Sequence, residues 1–153
     1  AWLEQRDAGE REASAARAGG DEMRVLRLAL DGREGTTAEP ATGEALRVEV
    51  DLHSRDERPP RLSLGLLRAD GTPVYGVDTA MDGVEAVPLG AGRFAFRCVF
   101  ENLPLLPGEY VLRAFPMDAE GLRLFPPAEA RVRVRGKTRE FGLVRLPHRW
   151  EAP

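Results

Sequence analysis

Hydrophobic and polar residues alternate along most of this chain. Leu46, Val48, Val50 and Leu52 take turns with Arg47, Glu49, Asp51 and His53. A period of two sends neighbouring side chains to opposite faces of an extended backbone, so this stretch predicts a half-buried strand with one polar face. Leu62, Leu64 and Leu66 resume the alternation after Pro59-Pro60. Phe94, Phe96, Cys98 and Phe100 make the clearest inward row, opposite Arg93, Ala95, Arg97 and Val99. Ala130, Val132 and Val134 alternate with Arg131, Arg133 and Arg135. Further strands are predicted over Met23–Leu30, Val74–Thr79, Glu109–Phe115 and Leu143–Leu146.

Turn chemistry separates these runs. Asp31-Gly32, Asp70-Gly71, Pro107-Gly108 and Glu120-Gly121 each break an apolar stretch, and Asp70-Gly71 is the strongest hairpin signal. The body of the chain holds no amphipathic helix and no repeat of fixed period. About eight short strands with turns between them predict an all-β, antiparallel sandwich or barrel, which spacing does not separate. Residues 1–21 differ: they are rich in Ala, Glu and Arg and reach Gly19-Gly20 near their end, the composition of a linker or frayed helix. The division is therefore a linker over 1–21 and one domain over 22–153.

At 153 residues the chain suffices for one domain with a real core. Its 42% hydrophobic and 31% charged residues fit a globular protein rather than a disordered one. A net charge of −3 gives no electrostatic reason to expect nucleic acid or an anionic membrane. Lys137 is the sole lysine, and every other basic residue is Arg. Cys98 is the only cysteine, so no intrachain disulfide forms, and its place in an apolar row predicts a buried structural thiol. No run of ~18 apolar residues is long enough to span a bilayer. The sequence opens at Ala1 without Met, as a piece of a longer polypeptide would.

Catalytic constellations are missing. Gly136-Lys137-Thr138 ends like a phosphate-binding loop, but Arg131 stands where the loop's first Gly is needed, and a strand precedes it. His53 and His148 have no Cys or His at metal-ligand spacing. No serine lies in a Gly-x-Ser-x-Gly elbow. The expectation is no catalytic residue, no metal and no cofactor. The stripe Arg131, Arg133 and Arg135 lacks interleaved aromatics, and reads as a strand whose charges discourage edge-to-edge pairing.

One segment is more specific. Phe100-Glu101-Asn102-Leu103-Pro104-Leu105-Leu106-Pro107-Gly108-Glu109-Tyr110-Val111-Leu112 resembles part of the C-terminal domain of Wzt-type proteins. These are ATP-binding subunits of bacterial ABC transporters that export O-antigen polysaccharide. Thr42-Gly43-Glu44-Ala45-Leu46 is similar to that family's strand opening. Asp70-Gly71-Thr72-Pro73-Val74-Tyr75-Gly76-Val77-Asp78-Thr79 is similar to its hairpin, with Asp78 in place of the usual Asn. Gly142 to Trp150 is similar to its closing strand.

The resemblance covers roughly residues 22–150 and implies an immunoglobulin-like sandwich, cytoplasmic at the inner face of the inner membrane. Residues 1–21 would be the remains of a linker from an ATPase domain. The domain would recognise a finished polysaccharide, the O-antigen glycan, and work with a transmembrane permease subunit. It would form a homodimer by exchanging the segment Gly142 to Trp150.

A sugar site needs flat apolar or aromatic surface for C–H faces and planar polar groups for paired hydroxyls. The outward positions that offer these are Arg47, Glu49, Asp51, Arg97, Arg113 and Phe115, with Tyr75, Asp78 and Thr79 at the hairpin. They are expected to share one polar face. Tyr110, just after a turn, is placed like the tyrosine-corner residue of sandwich folds. The alternative is a structural or protein-interaction sandwich without a glycan ligand; a glycan-processing enzyme is the third reading.

Overall fold

The structure, a computed structural model, describes residues 22–153; the linker assigned to 1–21 lies outside the described residues. Nine strands run in chain order: β1 (Met23–Leu30), β2 (Arg33–Glu34), β3 (Leu46–Ser54), β4 (Arg61–Arg68), β5 (Pro73–Asp78), β6 (Val87–Gly90), β7 (Arg93–Phe100), β8 (Gly108–Met117) and β9 (Ala128–Val134). They form two sheets, in the orders β2-β1-β3-β7-β6 and β5-β4-β8-β9. Every strand pairing is antiparallel. The fold is an all-β sandwich of two antiparallel sheets.

The alternation decides which face each strand buries. Leu46, Val48, Val50 and Leu52 of β3 are at most 1% exposed, and they meet Leu62, Leu64, Leu66, Leu112 and Val132 of the other sheet in one apolar core. Fully burying one such side chain stabilises the fold by roughly 1.5–3 kcal/mol, so this layer supplies most of the driving force. Phe96 joins it and Phe94 is also buried, while Cys98 and Phe100 are only half-buried. Cys98 thus lies at the margin of the core rather than inside it, and burial still raises its thiol pKa.

Loop chemistry fixes the corners. Tyr110 is 3% exposed, and its hydroxyl donates to the carbonyl of Leu106 at 2.6 Å, the tyrosine-corner bond. Gly92, between β6 and β7, has φ +74°, and its carbonyl accepts from Ser54 N at 2.7 Å. A Cβ there would sit 2.6 Å from the Ser54 carbonyl oxygen, so only glycine permits the approach.

Three expectations need correction. Leu143–Leu146 is not a strand: Val144 makes a single bridge to Leu105, flanked by Leu106 N to Leu143 O at 2.8 Å and Arg145 N to Pro104 O at 2.6 Å. Pro104, Pro107 and Pro147 donate nothing to a ladder, which limits the pairing to these few residues. Next, the outer edge of β9 is not left bare. Ala38–Ala41 runs along it in parallel, with Ala38 N to Arg131 O at 3.0 Å and Arg133 N to Ala38 O at 2.8 Å. The stripe's charges are engaged as well: Arg133 meets Glu109 at 2.6 Å and Glu39 at 3.2 Å. Finally, β2 and β6 are additional strands. β2 is two residues long, and β6 is exposed throughout, so neither carries the buried alternation that marks a strand in sequence.

Candidate functional site

Register places the outward side chains of the second sheet in rows. Asp78, Ser63 and Phe115 are direct cross-strand neighbours, and so are Gly76, Gly65, Arg113 and Glu129. Two glycines side by side leave the middle of that face without side chains. Nothing lies within 4 Å of where a Gly65 Cβ would project, and Gly76 would meet only the Leu64 carbonyl oxygen at 3.8 Å. The result is a groove of about 520 Å³ floored by backbone. Glycine inside a strand weakens it, and such positions mark close approach of another group.

Leu67, Pro73, Met81, Phe115 and Leu124 line the groove with apolar surface, and Ser63 and Asp78 add polar atoms. Tyr75 stands at its rim on the edge strand, beside a bulge in β5, and is 56% exposed. Phe115 is only 8% exposed and serves as packed lining rather than a free stacking ring. Arg113, next to Gly65, is oriented by Glu129 through its Nε at 2.8 Å. One Asp78 oxygen accepts from Met81 N at 2.9 Å, which holds the turn after β5. The Thr79 hydroxyl accepts from Leu62 N at 3.1 Å, so it extends the β4 pairing and does not line the groove.

The expectation of one shared face does not hold. Arg47, Glu49, Asp51 and Arg97 lie on the outer face of the first sheet, on the far side of the core. Each strand there buries its other face, so side chains of the two sets point away from each other. This second set is tied internally. Arg27 donates to Glu49 at 2.6 Å, which lowers the Glu49 pKa and raises that of Arg27. Arg97 donates to Asp51 at 3.1 Å, while Arg47 is exposed.

Another hollow, of about 560 Å³, lies where Met23, Arg55 and Phe125 meet. Ion pairs join its walls: Arg58 with Glu120, and Arg123 with Glu22 at 3.1 Å. Two ion pairs thus cross this hollow, whereas nothing lies within 4 Å above Gly65. Gly65, Gly76, Ser63 and Leu67 were not among the expected site residues. The signal for them was a lone Gly inside each of two strand patterns, and only the register shows that these glycines coincide.

Among the described residues no group of three or more His, Cys, Asp or Glu is arranged to hold a metal ion. Nor, among the described residues, is any helix long and apolar enough to cross a membrane. No protein-family model and no curated protein matches the chain. Among solved structures, the soluble domain of PmoD from Methylocystis sp. ATCC 49242 is similar, with a TM-score of 0.31 and 20% identity, over 76% of this chain and 94% of that one.

Proposed function

We propose that residues 22–153 form a non-catalytic carbohydrate-binding domain of a polysaccharide ABC exporter, with the ATPase in another domain. The observation that carries this reading is the glycine-floored groove. One of its walls is the β4–β5 hairpin, which is also the segment carrying the Asp70-to-Thr79 resemblance. A sugar ring has a C–H face and an equatorial belt of hydroxyls. The bare floor accepts the flat face, Phe115 adds apolar contact, and Ser63 and Asp78 offer hydrogen bonds to the belt. A groove open at the surface suits a chain that passes through it better than a small molecule that must be enclosed.

On this reading the domain holds an O-antigen chain on the cytoplasmic side and presents it to the permease. Pairing of the 143–145 segment with 104–106 is the contact a homodimer would exchange. The reading involves no cofactor, metal or nucleic acid.

The test uses the glycine floor. Gly65→Val and Gly76→Val place branched side chains in a strand at φ values that L residues adopt freely, and the space above Gly65 is open. Both variants are expected to melt at or above the parent temperature and to lose binding of the source organism's polysaccharide at least about tenfold in calorimetry, or ~1.4 kcal/mol. Polysaccharide binding that survives both substitutions removes the groove. Absence of binding by the folded parent removes the glycan reading altogether. Recovery of a protein partner that the valine variants fail to hold would favour an interaction domain instead.

A further inference from the structure

The outer face of the first sheet mostly pairs its charges. Arg27 holds Glu49 at 2.6 Å, and Arg97 holds Asp51 at 3.1 Å. Arg47, opposite Val99, is one exception, and a row of three is another. Arg24 of β1, His53 of β3 and Arg93 of β7 are successive Cα partners across three strands. Direct partners point to the same side, and here that side is outward, because Ser54, Leu52 and Phe94 beside them are buried. Arg24 and Arg93 are exposed and His53 is half-buried between them. Among the described residues no ion pair or side-chain hydrogen bond neutralises any of the three. Glu57, in the loop after β3, brings its Cγ toward the same spot beside Gly92 as His53 Nε2, without forming an ion pair with the ring.

Arg24 and Arg93 lie two strands apart, about 10 Å, so their positive charges repel across the intervening ring. Two guanidinium groups flanking an imidazole are an arrangement that an anion would relieve. Each guanidinium offers a planar fork of donors and the ring offers an N–H, so several oxygens of one tetrahedral group are satisfied at once. From this juxtaposition we infer a second binding site, distinct from the groove and on the opposite face, in which Arg24, His53 and Arg93 hold a phosphate monoester. Charge-assisted hydrogen bonds supply the affinity, and exposure to solvent keeps it modest. The groove reading is not needed for this site, which stands on the other sheet.

Inorganic phosphate is the probe. It is titrated into the chain at constant ionic strength, with the side-chain resonances of His53 and the arginines followed by NMR. Saturable shifts confined to Arg24, His53 and Arg93 are expected. The double variant Arg24→Gln, Arg93→Gln is expected to bind at least about tenfold more weakly. Arg131→Gln, on the other sheet, is expected to bind like the parent. Phosphate should raise the melting temperature of the parent and not that of the double variant, a linkage readout independent of the NMR. Non-saturating shifts spread over all arginines would overturn the site, as would equal affinity in the double variant. Two further arms find the source of the ester: glycerol 3-phosphate in solution, and phosphatidylcholine vesicles containing phosphatidate. Binding in either arm that Arg24→Gln, Arg93→Gln abolishes supports the site; retention by that variant sinks it.

Discussion

Tyr110 shows how much one side chain can settle. Its ring fills the core at the corner before β8, and its hydroxyl closes on Leu106 O, with Leu143 O at 3.4 Å beyond. Burial raises its pKa, so the group stays a neutral donor. Tyr110→Phe keeps the ring and strips one buried carbonyl of its partner. A loss of about 1–2 kcal/mol is expected, read from the urea midpoint. An unchanged midpoint would mean that the corner bond is not structural. This residue was legible in the sequence, because a Pro-Gly turn followed by Tyr is a local pattern. The groove was not: Gly65 and Gly76 are ordinary residues of two strands until pairing brings them together. Phe115 misled for a related reason. Its outward position follows from alternation, but it is 8% exposed, a burial that periodicity does not see.

At the scale of elements, the alternating strands were legible and the edges were not. β3, β4, β7 and β9 carry a strong period of two, and their sequence signals fall within their observed ranges except at Arg135, one residue past β9. Edges depend on what else the chain lays beside them. The Ala38–Ala41 cover on β9 has no periodicity of its own, and the Leu143–Arg145 pairing is too short to leave any. That short pairing carries a second prediction. Under the proposed exchange, Pro104–Leu106 receives this segment from a second copy. A chain ending at Gly142 should then run as a monomer in sedimentation at concentrations where the longer chain is a dimer. The same state for both would rule the exchange out. Val144, Leu146 and Trp150 are 42%, 70% and 93% exposed, so the truncation removes little apolar burial within one copy.

For the whole molecule, the carboxylates set the response to acid. Asp56 lies below the usual range because the Ser54 hydroxyl and Arg58 N donate to it, at 2.8 and 3.1 Å. Glu49 is lowered by its bond to Arg27, Asp70 by the Thr72 backbone, and Glu120 by Arg58. A carboxyl with a depressed folded pKa contributes stability above its unfolded pKa and loses it as pH falls through the folded one. The urea midpoint should therefore hold near neutrality and fall below about pH 4. Asp56→Asn still accepts a bond from Ser54 but no longer titrates, so its acid limb should be shallower. A limb as steep as the parent's would take Asp56 out of the account. Asp56, Asp70 and Glu120 are exposed and Glu49 is half-buried, and each single contribution is small.

Where the chain enters and leaves the sandwich has a mechanical consequence. Glu22 and Met23 meet Ser54 and Phe125 at one pole. Val134 pairs with Gly108 at the other pole, where the 143–145 segment also docks beside Leu106. β8, ten residues long, spans the distance between them, roughly 33 Å. The sandwich is thus wired in series: tension applied at residue 22 and resisted at the 143–145 contact passes along the strands, and loads their ladders in shear. Many hydrogen bonds must then yield together, so the body transmits a pull as a stiff strut, and the three-residue contact at its far pole is the link set to part first.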